Sequence, residues 1–235
     1  MKQDIASLRV AVLQTGRSAD GTAVEHGDYD EMCKALILRE PSEATTFAVL
    51  DGEFPSNVDA YDVYLVTGSA HGVYEDFDWI APLESLIREI YERQKKLIGI
   101  CFGHQIIAQA LGGRVEKSDR GFGVGVMEYQ LTDKSGGQRN VALYAWHQDQ
   151  VVAAPRGAEV IARSDFCEIA GLRYGDHGLT FQPHPEFTKD YMEALANIRR
   201  GGTITDEMSD EAIASLKQKV DADLIQDMLV EFMSH

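Results

Sequence analysis

Three side chains in this sequence have the types and the setting for acyl transfer: Cys101, His184 and Glu186. Cys101 lies in "GICFGHQIIAQALGG" (residues 99–113), a G-x-C-x-G pattern. There the apolar run "KKLIGI" gives way to apolar residues at helical spacing. Glycines on both sides of a strand-to-helix turn let the backbone pack closely around the residue between them. That residue then projects over the carboxyl ends of the strands, where open α/β sheets bind ligands. A helix N-terminus beneath it favours the thiolate, the reactive form of cysteine. The same pattern also suits an inert core thiol, and by itself does not choose.

The second segment, "GLTFQPHPEF" (residues 178–187), supplies what a thiol nucleophile needs. His184 and Glu186 are two apart at the end of a predicted strand, so their side chains share a face. Pro183 and Pro185 restrict the backbone around them. His184 suits a general base that takes the thiol proton and returns one to a departing amine. Glu186 suits the group that holds the imidazole in one tautomer. Alone, the pair reads as a charged surface turn; beside the Cys101 elbow it completes a nucleophile, base and orienter.

Positioning these groups falls to an alternation of strands and helices. "LRVAVLQTG" (residues 8–16), "TTFAVLDGE" (45–53), "YDVYLVTGSAHG" (61–72) and "KKLIGI" (95–100) read as strands. Residues 28–40, 78–94 and 102–111 read as helices, the second with Ile80, Leu83, Leu86, Ile87 and Ile90 on one face. Crossover connections of this kind make a mostly parallel sheet flanked by helices. Between residues 114 and 180 short runs such as "GVGVMEYQLT" and "NVALYAW" predict some antiparallel strands. From residue 188 the chain returns to helix. Ile213, Leu216, Val220, Leu224, Met228 and Phe232 are expected on one stripe, opposite a solvated acidic face. No linker, repeat or low-complexity stretch interrupts the chain, so residues 1–235 read as one domain with a helical extension over about 188–235.

The totals exclude several classes. With 44% hydrophobic residues in 235, the chain can bury a sizeable core. A formal net charge of −16 argues against nucleic acid and anionic membranes as partners. The short N-terminal apolar run reads as a strand rather than a signal peptide. Cys33, Cys101 and Cys167 are odd in number and far apart, which suits neither disulfides nor a zinc site. A reducing cytoplasm is the expectation. Cys33 and Cys167 read as core residues, and no metal or cofactor is expected.

"GICFGHQIIAQALGG" followed far downstream by "QPHPEF" resembles the class I glutamine amidotransferases, whose fold is flavodoxin-like. The resemblance covers residues 8–187. It implies a catalytic set of Cys101, His184 and Glu186, with Gln105 at the amino-acid end of the substrate. It implies an oxyanion hole from the backbone N–H groups of Gly68, in "VTGSAHG", and Phe102; Thr67 and Ala70 depart from the family's usual turn. In "YAWHQDQV" (residues 144–151), His147 and Asp149 fit a stretch lining the glutamine site, while Trp146 and Gln148 replace a serine and a glycine. "DRGFGVGV" (residues 119–126) aligns with another pocket-lining loop.

The resemblance extends to stand-alone GMP-synthetase-like members and to plant γ-glutamyl peptidases. The first expectation is hydrolysis of glutamine to glutamate and ammonia through a γ-glutamyl thioester; the alternative is hydrolysis of γ-glutamyl peptides. No nucleotide-binding motif is present, so any ammonia acceptor is a separate synthetase polypeptide, or water alone completes the reaction. An idle regulatory subunit is disfavoured because all three catalytic positions are filled. The oligomeric state is not legible in the sequence.

Overall fold

The computed structural model describes residues 5–19, 21–38 and 44–235. In chain order its strands are β1 (Val10–Gln14), β2 (Ala44–Ala48), β3 (Val63–Val66), β4 (Lys96–Ile100), β5 (Arg114–Lys117), β6 (Gly123–Thr132), β7 (Gln138–His147), β8 (Asp149–Ala153), β9 (Glu159–Arg163), β10 (Gly171–Tyr174) and β11 (Gly178–Phe181). The helices are α1 (Ala23–His26), α2 (Tyr29–Ile37), α3 (Ile80–Glu92), α4 (Phe102–Ala110), α5 (Lys189–Arg199), α6 (Asp206–Ser215) and α7 (Ala222–Ser234).

Nine strands form one sheet in the order β2-β1-β3-β4-β11-β10-β9-β6-β7. From β2 to β11 every pairing is parallel; from β11 to β7 every pairing is antiparallel. The predicted mixture is present, and its boundary falls at β11, the strand that leads to His184. β5 and β8 pair antiparallel as a separate two-stranded sheet.

The inner parallel strands β1, β3, β4 and β11 are mostly apolar and buried because helices cover both faces, while the outer strand β2 carries Thr45 and Thr46 and is only partly buried. Alternation divides their side chains. Val10, Val12, Val63, Leu65, Ile98 and Ile100 face one core with Cys33, Leu36 and Ile37 of α2 and Ile225, Leu229 and Phe232 of α7. Ala11, Leu13, Tyr64, Val66 and Leu97 face the other, against Leu83, Ile87 and Ile90 of α3 and Phe102, Ile106 and Ile107 of α4. Full burial of each Val, Leu, Ile or Phe among them contributes about 1.5–3 kcal/mol. Cys33 and Cys167 are wholly buried free thiols, as read from sequence. A third cluster joins Tyr144 to Phe187, Tyr191 and Leu195, fixing α5 over β7.

Some boundaries depart from the sequence reading. The helix expected to reach residue 40 is α2, ending at Ile37; residues 39 and 40 lie outside the described residues. The single stripe expected beyond residue 206 is two helices. Asp221 breaks it: its N–H donates to Ala142 O at 2.8 Å, and its carboxylate accepts from Ala142 N at 2.8 Å. Both bonds satisfy the outer edge of β7, an edge that would otherwise stay unpaired. The buried face of α7 is consequently Ile225, Leu229, Phe232 and Met233, with Leu224 and Met228 half-buried. Asp223, Asp227 and Glu231 are exposed, as expected. Among the described residues no helix is long and apolar enough to cross a membrane.

Candidate active site

The carboxyl ends of β1, β3, β4 and β11 meet at one place. β4 runs directly into Cys101, which stands at φ 52° and ψ −103°. A non-glycine residue there costs about 1–3 kcal/mol and persists only where its surroundings impose it. The surroundings are explicit. Cys101 N donates to Phe181 O of β11 at 2.8 Å, and Gln105 N closes the first turn of α4 on Cys101 O at 3.1 Å. A Cβ on Gly103 would lie 2.2 Å from Val66 O, and one on Gly99 would lie 2.6 Å from the Gly103 carbonyl. Both glycines of the G-x-C-x-G pattern are therefore required by contact, and the elbow has no room to relax.

Beside the elbow, Thr67 and Gly68 follow β3. A Cβ on Gly68 would lie 3.4 Å from His184 Cε1 and 3.9 Å from Cys101 Cβ, so these three residues meet at one point. Thr15, after β1, donates its hydroxyl to Thr67 O at 3.0 Å, and its N–H donates to Thr67 Oγ1 at 3.0 Å. The Gly68 N–H belongs to the same planar trans peptide as Thr67 O. Anchoring that oxygen on Thr15 turns the Gly68 N–H the opposite way. Phe102 N opens α4 and is among the donors that a helix leaves without an internal partner.

His184 follows β11 and is tied to β7 by its N–H on Tyr144 O at 2.8 Å. Its Nδ1 donates to Glu186 Oε1 at 2.7 Å, and both side chains are almost fully buried. The ring stacks on Phe187 with centroids 4.0 Å apart and planes 9° apart. Burial alone would push the imidazolium pKa down. The Glu186 carboxylate and the neighbouring Cys101 sulfur outweigh it and raise it to about 10. Among the described residues His184 Nε2 has no hydrogen-bond partner, which leaves it open to a reacting atom.

Gln182 takes part too, although the sequence reading gave it no role. Its amide donates to Cys101 Sγ at 3.6 Å, and its oxygen accepts from Gln105 Nε2 at 3.0 Å. Gln105 Nε2 also donates to Asp149 O at 2.8 Å, so both its N–H bonds are held by the protein. Gln182, His184 and Glu186 all lie past the end of β11 at Phe181, so they converge through a turn and not on the face of a strand as the sequence reading expected.

A cavity of about 240 Å³ opens over this group and is lined by Cys101, Gln105, His147, Asp149 and His184. His147 is buried, with Nδ1 on Asp149 O at 3.2 Å; burial lowers its pKa to about 3, so it is neutral. The carbonyl can only accept, so Nδ1 carries the proton and Nε2 is a bare acceptor without a partner among the described residues. Asp149 is half-buried. Burial raises its pKa, and a hydrogen bond from Tyr74 works in the other direction. Of the candidate site residues, Cys101, Gln105, His147, Asp149 and His184 line this cavity, Glu186 stands behind His184, and Gly68 and Phe102 adjoin Cys101. Tyr29, Tyr74, Lys117, Phe122, Leu195, Arg199 and Thr203 also line the cavity. They come from separate segments and carry no motif that would have marked them, apart from Phe122 in the aligned loop.

A match to the family described as glutamine amidotransferase class-I spans residues 48–197. The chain belongs to the class-I glutamine amidotransferase family. It is 32% identical over 214 residues to γ-glutamyl peptidase 5 of Arabidopsis thaliana, covering 85% of each chain. It is 30% identical over 187 residues to the glutamine-hydrolyzing GMP synthase of an Azoarcus species, covering 72% of this chain and 35% of that one. Among solved structures, a glutamine amidotransferase from Methylobacillus flagellatus superposes with a TM-score of 0.72 at 20% identity, covering 96% of this chain and 92% of that one. The fold is accordingly that of the class-I amidotransferases, flavodoxin-like in its parallel half.

Proposed function

We propose that this chain hydrolyses γ-glutamyl amides, glutamine first among them, through a γ-glutamyl thioester on Cys101. The observation that carries the reading is the convergence of the strained Cys101 elbow with the buried His184–Glu186 pair beneath one cavity. The sulfur anion, paired with the His184 imidazolium, attacks the γ-carbonyl carbon. The carbonyl oxygen takes the charge and is held by the N–H groups of Gly68 and Phe102; each such donor is typically worth about 100- to 1000-fold in rate. His184 gives its proton to the nitrogen, the C–N bond breaks and the amine leaves. Neutral His184 then takes a proton from water, whose hydroxyl attacks the thioester, and glutamate departs as the sulfur anion is restored. Lys117 and Asp149, cross-strand partners in β5 and β8, match the carboxylate and ammonium of the glutamyl end.

A second reading, γ-glutamyl peptide hydrolysis, has its own support. The Arabidopsis relatives bearing the name γ-glutamyl peptidase match over most of both chains. The cavity also shares Phe122, Gln148 and Thr203 with an adjoining one of about 580 Å³, more space than ammonia needs. With glutamine as substrate, the ammonia goes to a separate synthetase or to water. The free thiols suit a reducing compartment, the cytoplasm, for this chemistry. The test is glutamate release by the purified chain from glutamine and a panel of γ-glutamyl amino acids. Hydrolysis of at least one is expected; none, from folded protein with or without a synthetase supplied, would refute the reading.

A further inference from the structure

We infer that Arg199 binds a carboxylate on the group that departs, so that the substrates are γ-glutamyl amino acids or short γ-glutamyl peptides with a free C-terminal carboxylate. This rests on the γ-glutamyl hydrolase reading and names the substrate class for it.

The departing nitrogen takes its proton from His184, so the departing group lies on the His184 side of the cavity. That side is built from α2 and α5. The Phe187 ring under His184 packs against Tyr29 of α2, at 6.0 Å between centroids, and Tyr191 of α5, at 4.6 Å. Tyr29, with Leu195 and Arg199 one helical turn apart on α5, faces the cavity there, and Thr203 continues the wall.

The charges facing the cavity separate clearly. Glu75 pairs with His71 at 3.3 Å. Asp149 accepts from Tyr74 and feels the Lys117 ammonium across the β5–β8 ladder. An ammonium and a carboxylate on one carbon need such an adjacent pair, which provides for the glutamyl end without Arg199. Neighbouring Arg200 is held by Asp210 at 2.6 Å. Arg199 has no carboxylate within ion-pair distance among the described residues, although the protein carries 38 acidic side chains against 22 Lys and Arg. A half-buried guanidinium facing a cavity presents a planar fork that matches a carboxylate with two parallel hydrogen bonds. Farther out, the adjoining cavity is lined by Asp206 and Glu207, which repel a carboxylate carried beyond Arg199. The departing group is therefore short.

The experiment compares γ-glutamylglycine with γ-glutamylglycinamide, which differ only in that carboxylate, and includes glutamine. For the wild-type chain, kcat/KM is expected to favour the free carboxylate roughly tenfold, the worth of one charge-assisted pair. In Arg199→Gln the ratio of the two falls to near one, and Arg199→Lys restores part of it. A purely structural role would lower both substrates alike and leave the ratio in place. Equal wild-type rates on the two compounds, or an unchanged ratio in Arg199→Gln, overturns the Arg199 assignment while leaving the hydrolase reading standing. If the wild-type chain releases glutamate from none of the three, the hydrolase reading falls and this inference falls with it.

Discussion

The Cys101 elbow and the α5 wall face the same cavity but are held by opposite means. The elbow is backbone against backbone: Gly103 lies against Val66 O, Cys101 N is bonded to Phe181 O, and Cys101 is kept at a positive φ by its packing. The wall is made of side-chain ends. Arg199 and Phe122 are half-buried, and each reaches in from a helix end or loop. The contrast separates what the chemistry demands from what the substrate selects. Bond-making atoms must be placed within a fraction of an ångström, which rigid elements achieve. Recognition of the departing group tolerates longer, softer contacts, so it is where substrate choice can vary while the elbow stays unchanged.

Substitutions can break or sharpen this contrast. Cys101→Ser should lower hydrolysis by at least about a thousandfold while thermal unfolding stays near wild type, because it removes the proposed nucleophile and keeps the shape. A well-folded, active serine variant would end the assignment. Gly103→Ala should be the most damaging change to the fold of the elbow. Its Cβ has nowhere to go against Val66 O, so a loss of at least about 1–3 kcal/mol in denaturant unfolding is expected together with most of the activity.

Glu186→Gln should lower kcat by roughly 100-fold, and KM less, if the proposed role of Glu186, orienting the imidazole in the transition state, holds. It also moves the pH profile. In the wild type the imidazolium persists as pH rises until it is lost near its raised pKa of about 10, so the alkaline limb lies high. Without the carboxylate, burial prevails, the pKa drops, and the limb moves to lower pH. A limb that stays in place would show that His184 is not held by Glu186. On the wall the effects should be small. Phe122→Ala is expected to raise KM for γ-glutamyl peptides about fivefold by removing a half-buried ring that packs on Trp146 at 6.0 Å.

The same contrast explains what could be read from the sequence. The parallel strands were legible because burial on both faces leaves continuous apolar runs, and the elbow because close approach forces glycine at fixed spacing. His184 and Glu186 were legible through their residue types and the flanking prolines, although they stand in the turn beyond β11 and not on its face; Gln182, in the same turn, carried no such mark. The β5–β8 pair was hidden because its strands are short and only Val115 and Val151 are deeply buried on the cluster under them. α1 is four residues with no buried side chain and left no periodic trace. The break between α6 and α7 was hidden because its cause, Asp221 on the edge of β7, is a contact across 79 residues. Arg199 was invisible for the same reason: its meaning depends on which carboxylates are absent around it in space.

The most direct test of the shared point beneath the cavity is covalent trapping with a glutamine-like electrophile such as 6-diazo-5-oxo-norleucine, followed by mass spectrometry of the three cysteines. One adduct on Cys101, with the buried Cys33 and Cys167 unmodified and glutamate release lost in proportion, is the predicted result. Inactivation without modification of Cys101, or full activity once it is modified, would contradict the account.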